Sequence, residues 1–110
     1  MLNAGGSYTA QVSVVNRSTR GGLPVAASLG VTVQAYISGL QLLQKGELLG
    51  MAAGEQRTLY YGFIVPAGTE GYTGLAQATV FSPDGTKMLA ADSKALEVAA
   101  PTLLTVIPET

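Results

Sequence analysis

The amino-acid sequence predicts an all-β fold, a sandwich or a barrel, and three observations carry that prediction. Apolar and polar residues alternate with period two in four separate segments. Clusters of Gly, Pro, Asn, Asp and Ser divide those segments at spacings of about 8–12 residues, the rhythm of strands joined by turns. The 110 residues suit one compact domain and are too few for two.

The elements follow in chain order. In residues 8–15, Tyr8, Ala10, Val12 and Val14 share one face, and Thr9, Gln11 and Ser13 the other. Asn16-Arg17-Ser18 ends that strand, and Gly21-Gly22-Leu23-Pro24 opens the next stretch. Residues 31–38 set Val31, Val33, Ala35 and Ile37 against Thr32, Gln34 and Ser38. Residues 40–53 are ambiguous. Leu40, Leu43, Leu48 and Leu49 make a partial helical stripe, but Gly39, Gly46, Gly50 and Gly54 interrupt it, and each glycine costs a helix about 1 kcal/mol relative to alanine. Two short strands, 40–44 and 47–50, with a hairpin at Lys45-Gly46, are therefore expected. Ala53-Gly54-Glu55 then leads into residues 57–65, where Leu59, Tyr61, Phe63 and Val65 form the apolar face. Pro66-Ala67-Gly68 ends that strand, and in residues 73–81 Ala76, Ala78 and Val80 lie on one side. Ser82-Pro83-Asp84-Gly85 is the strongest turn signal: proline presets φ, and aspartate bonds to the nearby backbone. Short strands at 87–91 and 95–98 complete the domain. The division expected is an N-terminal arm at 1–7, the sandwich at 8–100, and a tail or extra edge strand at 101–110, where an apolar β-prone run lies between Pro101 and Pro108.

Composition excludes several functions. There is no His and no Cys, hence no zinc site of the usual ligands, no disulfide and no Ser-His or Cys-His nucleophile. The acids Glu47, Glu55, Glu70, Asp84, Asp92, Glu97 and Glu109 fall in turns or on polar faces and form no catalytic pair. No catalytic residue, cofactor or metal ligand is assigned, and the chain is not read as an enzyme. A calcium loop needs several oxygen ligands, and the turn at Asp84 has no second acid. Six basic residues are scattered and the net charge is −1, which opposes a nucleic-acid partner. The longest uncharged run, 21–44, carries Pro24, several glycines and many Thr, Ser and Gln, so no membrane insertion is expected. Residues 1–7 show no signal-peptide pattern. Asn16-Arg17-Ser18 matches a glycosylation sequon, but asparagine suits a turn for its own reasons.

A family resemblance rests on the order of these signals. A strand ending in Val15-Asn16 is followed by an Ala-Gly-Glu-Gln-Arg-Thr segment at 53–58. That segment leads into a strand closing Phe63-Ile64-Val65-Pro66, and Gly71-Tyr72-Thr73 then opens a strand of small residues. The order resembles the bacterial and archaeal immunoglobulin-like accessory domains of the CARDB and alpha-galactosidase-associated NEW3 type, across roughly residues 8–98. Ala53 stands where that family often has proline. Similar immunoglobulin-like domains occur in tailed-phage virion proteins. The resemblance implies an immunoglobulin-like β-sandwich of about seven antiparallel strands, used as a spacer, adhesion or assembly module at a cell surface or on a virion.

Charged residues make up 12% of the chain, about half the usual share. Outward positions hold Thr, Ser, Gln, Gly and Ala where a free monomer places Lys and Glu to protect its edges. Part of the outer surface is therefore expected to be covered in the working state, by a protein partner or by self-association. The residues singled out for that contact are Tyr36, Leu48, Leu49 and Tyr60, with Leu103, Leu104 and Ile107 in the tail; Tyr36 and Tyr60 are expected to make one small patch. The alternative function is an accessory domain that binds glycan or cell wall for an exported protein. The absence of tryptophan weakens it.

Overall fold

The computed structural model describes residues 1–100. Among them there is no helix, and the strands are β1 (Ser7–Val15), β2 (Thr19–Arg20), β3 (Leu23–Pro24), β4 (Ala27–Ile37), β5 (Leu40–Met51), β6 (Gln56–Ile64), β7 (Thr73–Phe81) and β8 (Met88–Glu97). All the strand pairs are antiparallel. They form a four-stranded sheet in the order β5-β4-β7-β8, a two-stranded ribbon of β1 and β6, and a two-residue pair, β2-β3. Among the described residues six strands are long, where about seven are expected from the sequence.

The alternation read from the sequence decides which faces meet. Val31, Val33, Ala35 and Ile37 of β4 are all buried, and Val14, Leu59, Tyr61 and Phe63 of the ribbon turn toward them. One core cluster thus joins the ribbon to the middle of the sheet, with Leu29, Leu43, Leu49, Met51 and Leu96 completing it. A second, smaller cluster of Ile37, Val65 and Val98 closes one end, with Leu2, Ala4 and Tyr8 packed on it. Burial of this apolar surface is the main stabilising term, at roughly 25 cal/mol per Å².

Two predicted elements differ. The hairpin expected at Lys45-Gly46 does not form: Lys45 pairs with Val33 and Gly46 with Thr32 inside one continuous β5. The chain reverses at Ser38-Gly39 instead, where φ is 45° and 82°. Two successive positive φ values mark a type I′ turn, whose twist matches that of the flanking strands. The short strands expected at 87–91 and 95–98 are likewise one strand, β8. Asp92, Ser93 and Lys94 read as a break but sit in an exposed edge strand, where polar side chains reach water without leaving the ladder.

Gly74 marks a close approach between neighbours. A Cβ there would fall on the carbonyl oxygen of Tyr36, so β7 can lie against β4 at that level only with glycine. The expected N-terminal arm is fastened to the body. The Leu2 N–H donates to the Glu97 carbonyl at 2.8 Å, the Ala99 N–H to the Leu2 carbonyl at 2.7 Å, and Gly5 and Gly6 bond to Val65. The tail at 101–110, with the candidate contacts Leu103, Leu104 and Ile107, lies outside the described residues.

Candidate interaction surface

The four-stranded sheet has one face against the ribbon and one face outward. Strand register places the outward side chains in four rows. The first row, across β5-β4-β7-β8, is Leu48, Gly30, Phe81 and Met88. The second is Gly46, Thr32, Thr79 and Ala91, and the third Gln44, Gln34, Gln77 and Ser93. The fourth is Gln41, Tyr36, Leu75 and Ala95. None of these positions is charged; Glu97 stands beyond the fourth row at the corner.

Side-chain bonds tie the lower rows together. The Gln41 amide donates to Gln44 Oε1 at 2.6 Å, and the Tyr36 hydroxyl donates to Gln34 Oε1 at 3.3 Å. Three glutamines lie side by side on adjacent strands, each with free donor and acceptor capacity toward solvent. At the other end, Gly30 leaves a shallow groove between Leu48 and Phe81, closed by Pro83.

Charge is confined elsewhere. Lys45 and Glu47 share a face of β5 with buried Leu43 and Leu49, and Asp92 and Lys94 share a face of β8 with buried Leu96. They flank the ribbon, where the sheet extends past its cover. The Tyr61 hydroxyl donates to Glu47 Oε2 at 2.6 Å. Burial, then the bond to that carboxylate, pushes the Tyr61 hydroxyl up to about 12. Asp84 closes the turn after β7: its Oδ1 accepts from the Ser82 hydroxyl and from the Thr86 backbone and hydroxyl. Those donors, Ser82 first, hold its carboxyl down to about 2. This is a turn stabilised by its own acid, and among the described residues no group of three or more His, Cys, Asp or Glu could hold a metal ion. No helix among them is long and apolar enough to cross a membrane.

The sequence-predicted contact residues divide. Tyr36 and Leu48 lie on the outer sheet face, Leu48 at 64% exposure. Leu49 does not: it is 8% exposed and packed in the core, because the register of β5 turns odd-numbered residues inward there. Tyr60 is 66% exposed but points outward from the ribbon, since Leu59 and Tyr61 point in. Tyr36 and Tyr60 therefore occupy opposite faces of the molecule and make no common patch. Sequence reasoning missed Gly30, Phe81, Met88 and the glutamine row, whose signal is visible only once the strands are paired.

The motif residues behind the family resemblance also meet. The Asn16 side chain, 1% exposed, donates to the carbonyls of Val25 at 3.0 Å, Met51 at 3.3 Å and Ala52 at 2.9 Å, and accepts from the Ser18 N–H at 3.1 Å. Its own N–H donates to the Glu55 carbonyl at 2.9 Å. The Glu55 carboxylate in turn accepts from the Ala52 N–H at 2.8 Å and pairs with Arg57 at 2.7 Å, which holds it below the usual carboxylate range, the backbone bond first. These residues clasp the end of β1 to the β5–β6 turn. A sequon asparagine buried this way is engaged structurally. Comparison with protein-family models and with curated proteins gives no match.

Proposed function

We infer that this chain is a non-catalytic immunoglobulin-like interaction module of a cell-surface or virion assembly, making contact through the outer face of its four-stranded sheet. The observation that carries the reading is the four uncharged rows on that face, in a molecule whose charges sit on flanks and turns. Free monomers protect sheets and edges with charge, and a face without it is suited to being covered.

The immunoglobulin-like assignment draws support from connection order. In that sandwich, strands B and E share one sheet, and C, F and G, with C′ where present, share the other. Here β1 and β6 take the places of B and E, and β5, β4, β7 and β8 those of C′, C, F and G. The CARDB/NEW3 resemblance points the same way.

Incorporation tests the function. A tagged chain expressed in its host is expected to co-sediment with intact virions or cell envelopes. A Thr32→Lys, Gln77→Lys double variant, folded by circular dichroism, is expected to stay in the soluble fraction. Co-sedimentation that ignores the two lysines would place the contact elsewhere, and its absence for the unaltered chain overturns the module reading. Glycan binding lost on Tyr60→Ala would instead favour the accessory-domain alternative.

A further inference from the structure

We propose that the outer sheet face pairs with the same face of a second copy of this chain, across a two-fold axis that runs along the strands between β4 and β7. The inference rests on reading this face as the contact surface, and it names what covers it.

A rotation about that axis keeps each row in place and exchanges the strands. β4 comes to lie over β7 of the second copy, and β5 over its β8, an arrangement that closes on itself as a dimer. The rows then complement one another. Gly30 faces Phe81 of the second copy, so the groove between Leu48 and Phe81 receives a phenyl ring, once in each direction. Thr32 faces Thr79, and Gln34 faces Gln77, whose amides can each donate and accept. Long Gln44 and Gln41 on β5 meet small Ser93 and Ala95 on β8.

Charge and area agree with this partner. No charge lies in the four rows, so two identical faces meet without like-charge repulsion between row positions; Glu47 lines the edge of the groove and Glu97 stands at the corner. Four strands about 4.8 Å apart and four rows about 6.8 Å apart span roughly 19 by 27 Å, about 500 Å² per copy. The total of about 1,000 Å² reaches the lower bound for a specific interface, so the pair is a weak one, filled when copies are held at high local concentration.

Sedimentation velocity of the full chain is the test, over roughly 10 µM to 1 mM, the range such a weak interface populates. The unaltered chain is expected to shift from monomer to dimer. Gly30→Thr fills the groove, and its Cβ meets only ordinary contacts within the chain, 3.7 Å from Phe81 Cβ and 3.7 Å from the Ser82 carbonyl oxygen. It is expected to weaken the dimer about tenfold or more. Gln77→Lys is expected to be monomeric, and Thr58→Lys, on the ribbon's outer face, to dimerise like the unaltered chain. If Gly30→Thr loses its circular dichroism, Gln77→Lys decides. Self-pairing is overturned by an unaltered chain that stays monomeric throughout, by Gln77→Lys dimerising normally, or by Thr58→Lys abolishing the dimer. A chain monomeric at these concentrations that still co-sediments with its assembly overturns the second copy as partner and leaves the contact face standing.

Discussion

Asn16 was legible as a turn residue but not as a buried one. Its three acceptor carbonyls come from residues 9 to 36 positions away, and nothing local announces that β1 ends against the β5–β6 turn. Replacing it with alanine removes the side-chain donor from all three, the Ala52 carbonyl keeping the Glu55 N–H. Asn16→Ala is expected to lower stability by about 2–3 kcal/mol in urea unfolding, the cost of buried unmade hydrogen bonds. Tyr61 was legible as a core residue, and the structure adds its outward hydroxyl bonded to Glu47. Its folded value is raised from 10 to about 12, so the native state favours the neutral phenol. The stabilisation is complete below pH 10 and is lost as the pH rises toward 12. The melting temperature is expected to fall across that window, and Tyr61→Phe to flatten the fall.

At the level of elements, β1, β4, β6 and β7 were readable because each has one face in the core and one in water, which period-two alternation records directly. β5 and β8 differ from the hairpin and the two short strands their sequences predict, for a shared reason. Both are edge strands: Leu43, Leu49 and Met51 of β5 and Leu96 of β8 are buried, while the middle inward positions lie past the ribbon's cover. Their inward positions therefore carry Lys45 and Glu47, or Asp92 and Lys94, and the alternation fails midway. The Lys45-Gly46 signal then outweighed the true reversal at Ser38-Gly39. Serine is not a preferred residue at a φ of 45°, whereas asparagine tolerates that region. Ser38→Asn is expected to stabilise the β4–β5 hairpin by several tenths of a kcal/mol to about 1, raising the melting temperature by a few degrees.

Across the whole molecule, the scarcity of charge leads to the expectation of a covered surface without saying which one. Composition is blind to side; only register separates the uncharged rows from the charged flanks. Of the residues chosen for contact, Tyr36 and Leu48 fell on that face because they sit on outward positions of strands at its two ends. Most of the remaining positions are Gly, Thr, Gln and Ala, which carry no signal singly. An interface built from them has few ions to screen. The dimer constant is expected to change less than about twofold between roughly 50 mM and 0.5 M NaCl, and to strengthen in sulfate, which favours burial. Sedimentation equilibrium across the two salts checks this.

The bridge between Leu2 and Val98 is parallel, unlike every strand pair in the sheets. In a parallel pair the backbone before Leu2 and the backbone after Val98 head in opposite directions. Tension applied through those two ends would slide the segments past each other, so the bonds from Leu2 to Glu97 and from Ala99 to Leu2 would share the load together instead of opening one after the other. Mechanically the bridge is a clasp loaded in shear, which resists a pull along its two ends better than a geometry opened bond by bond.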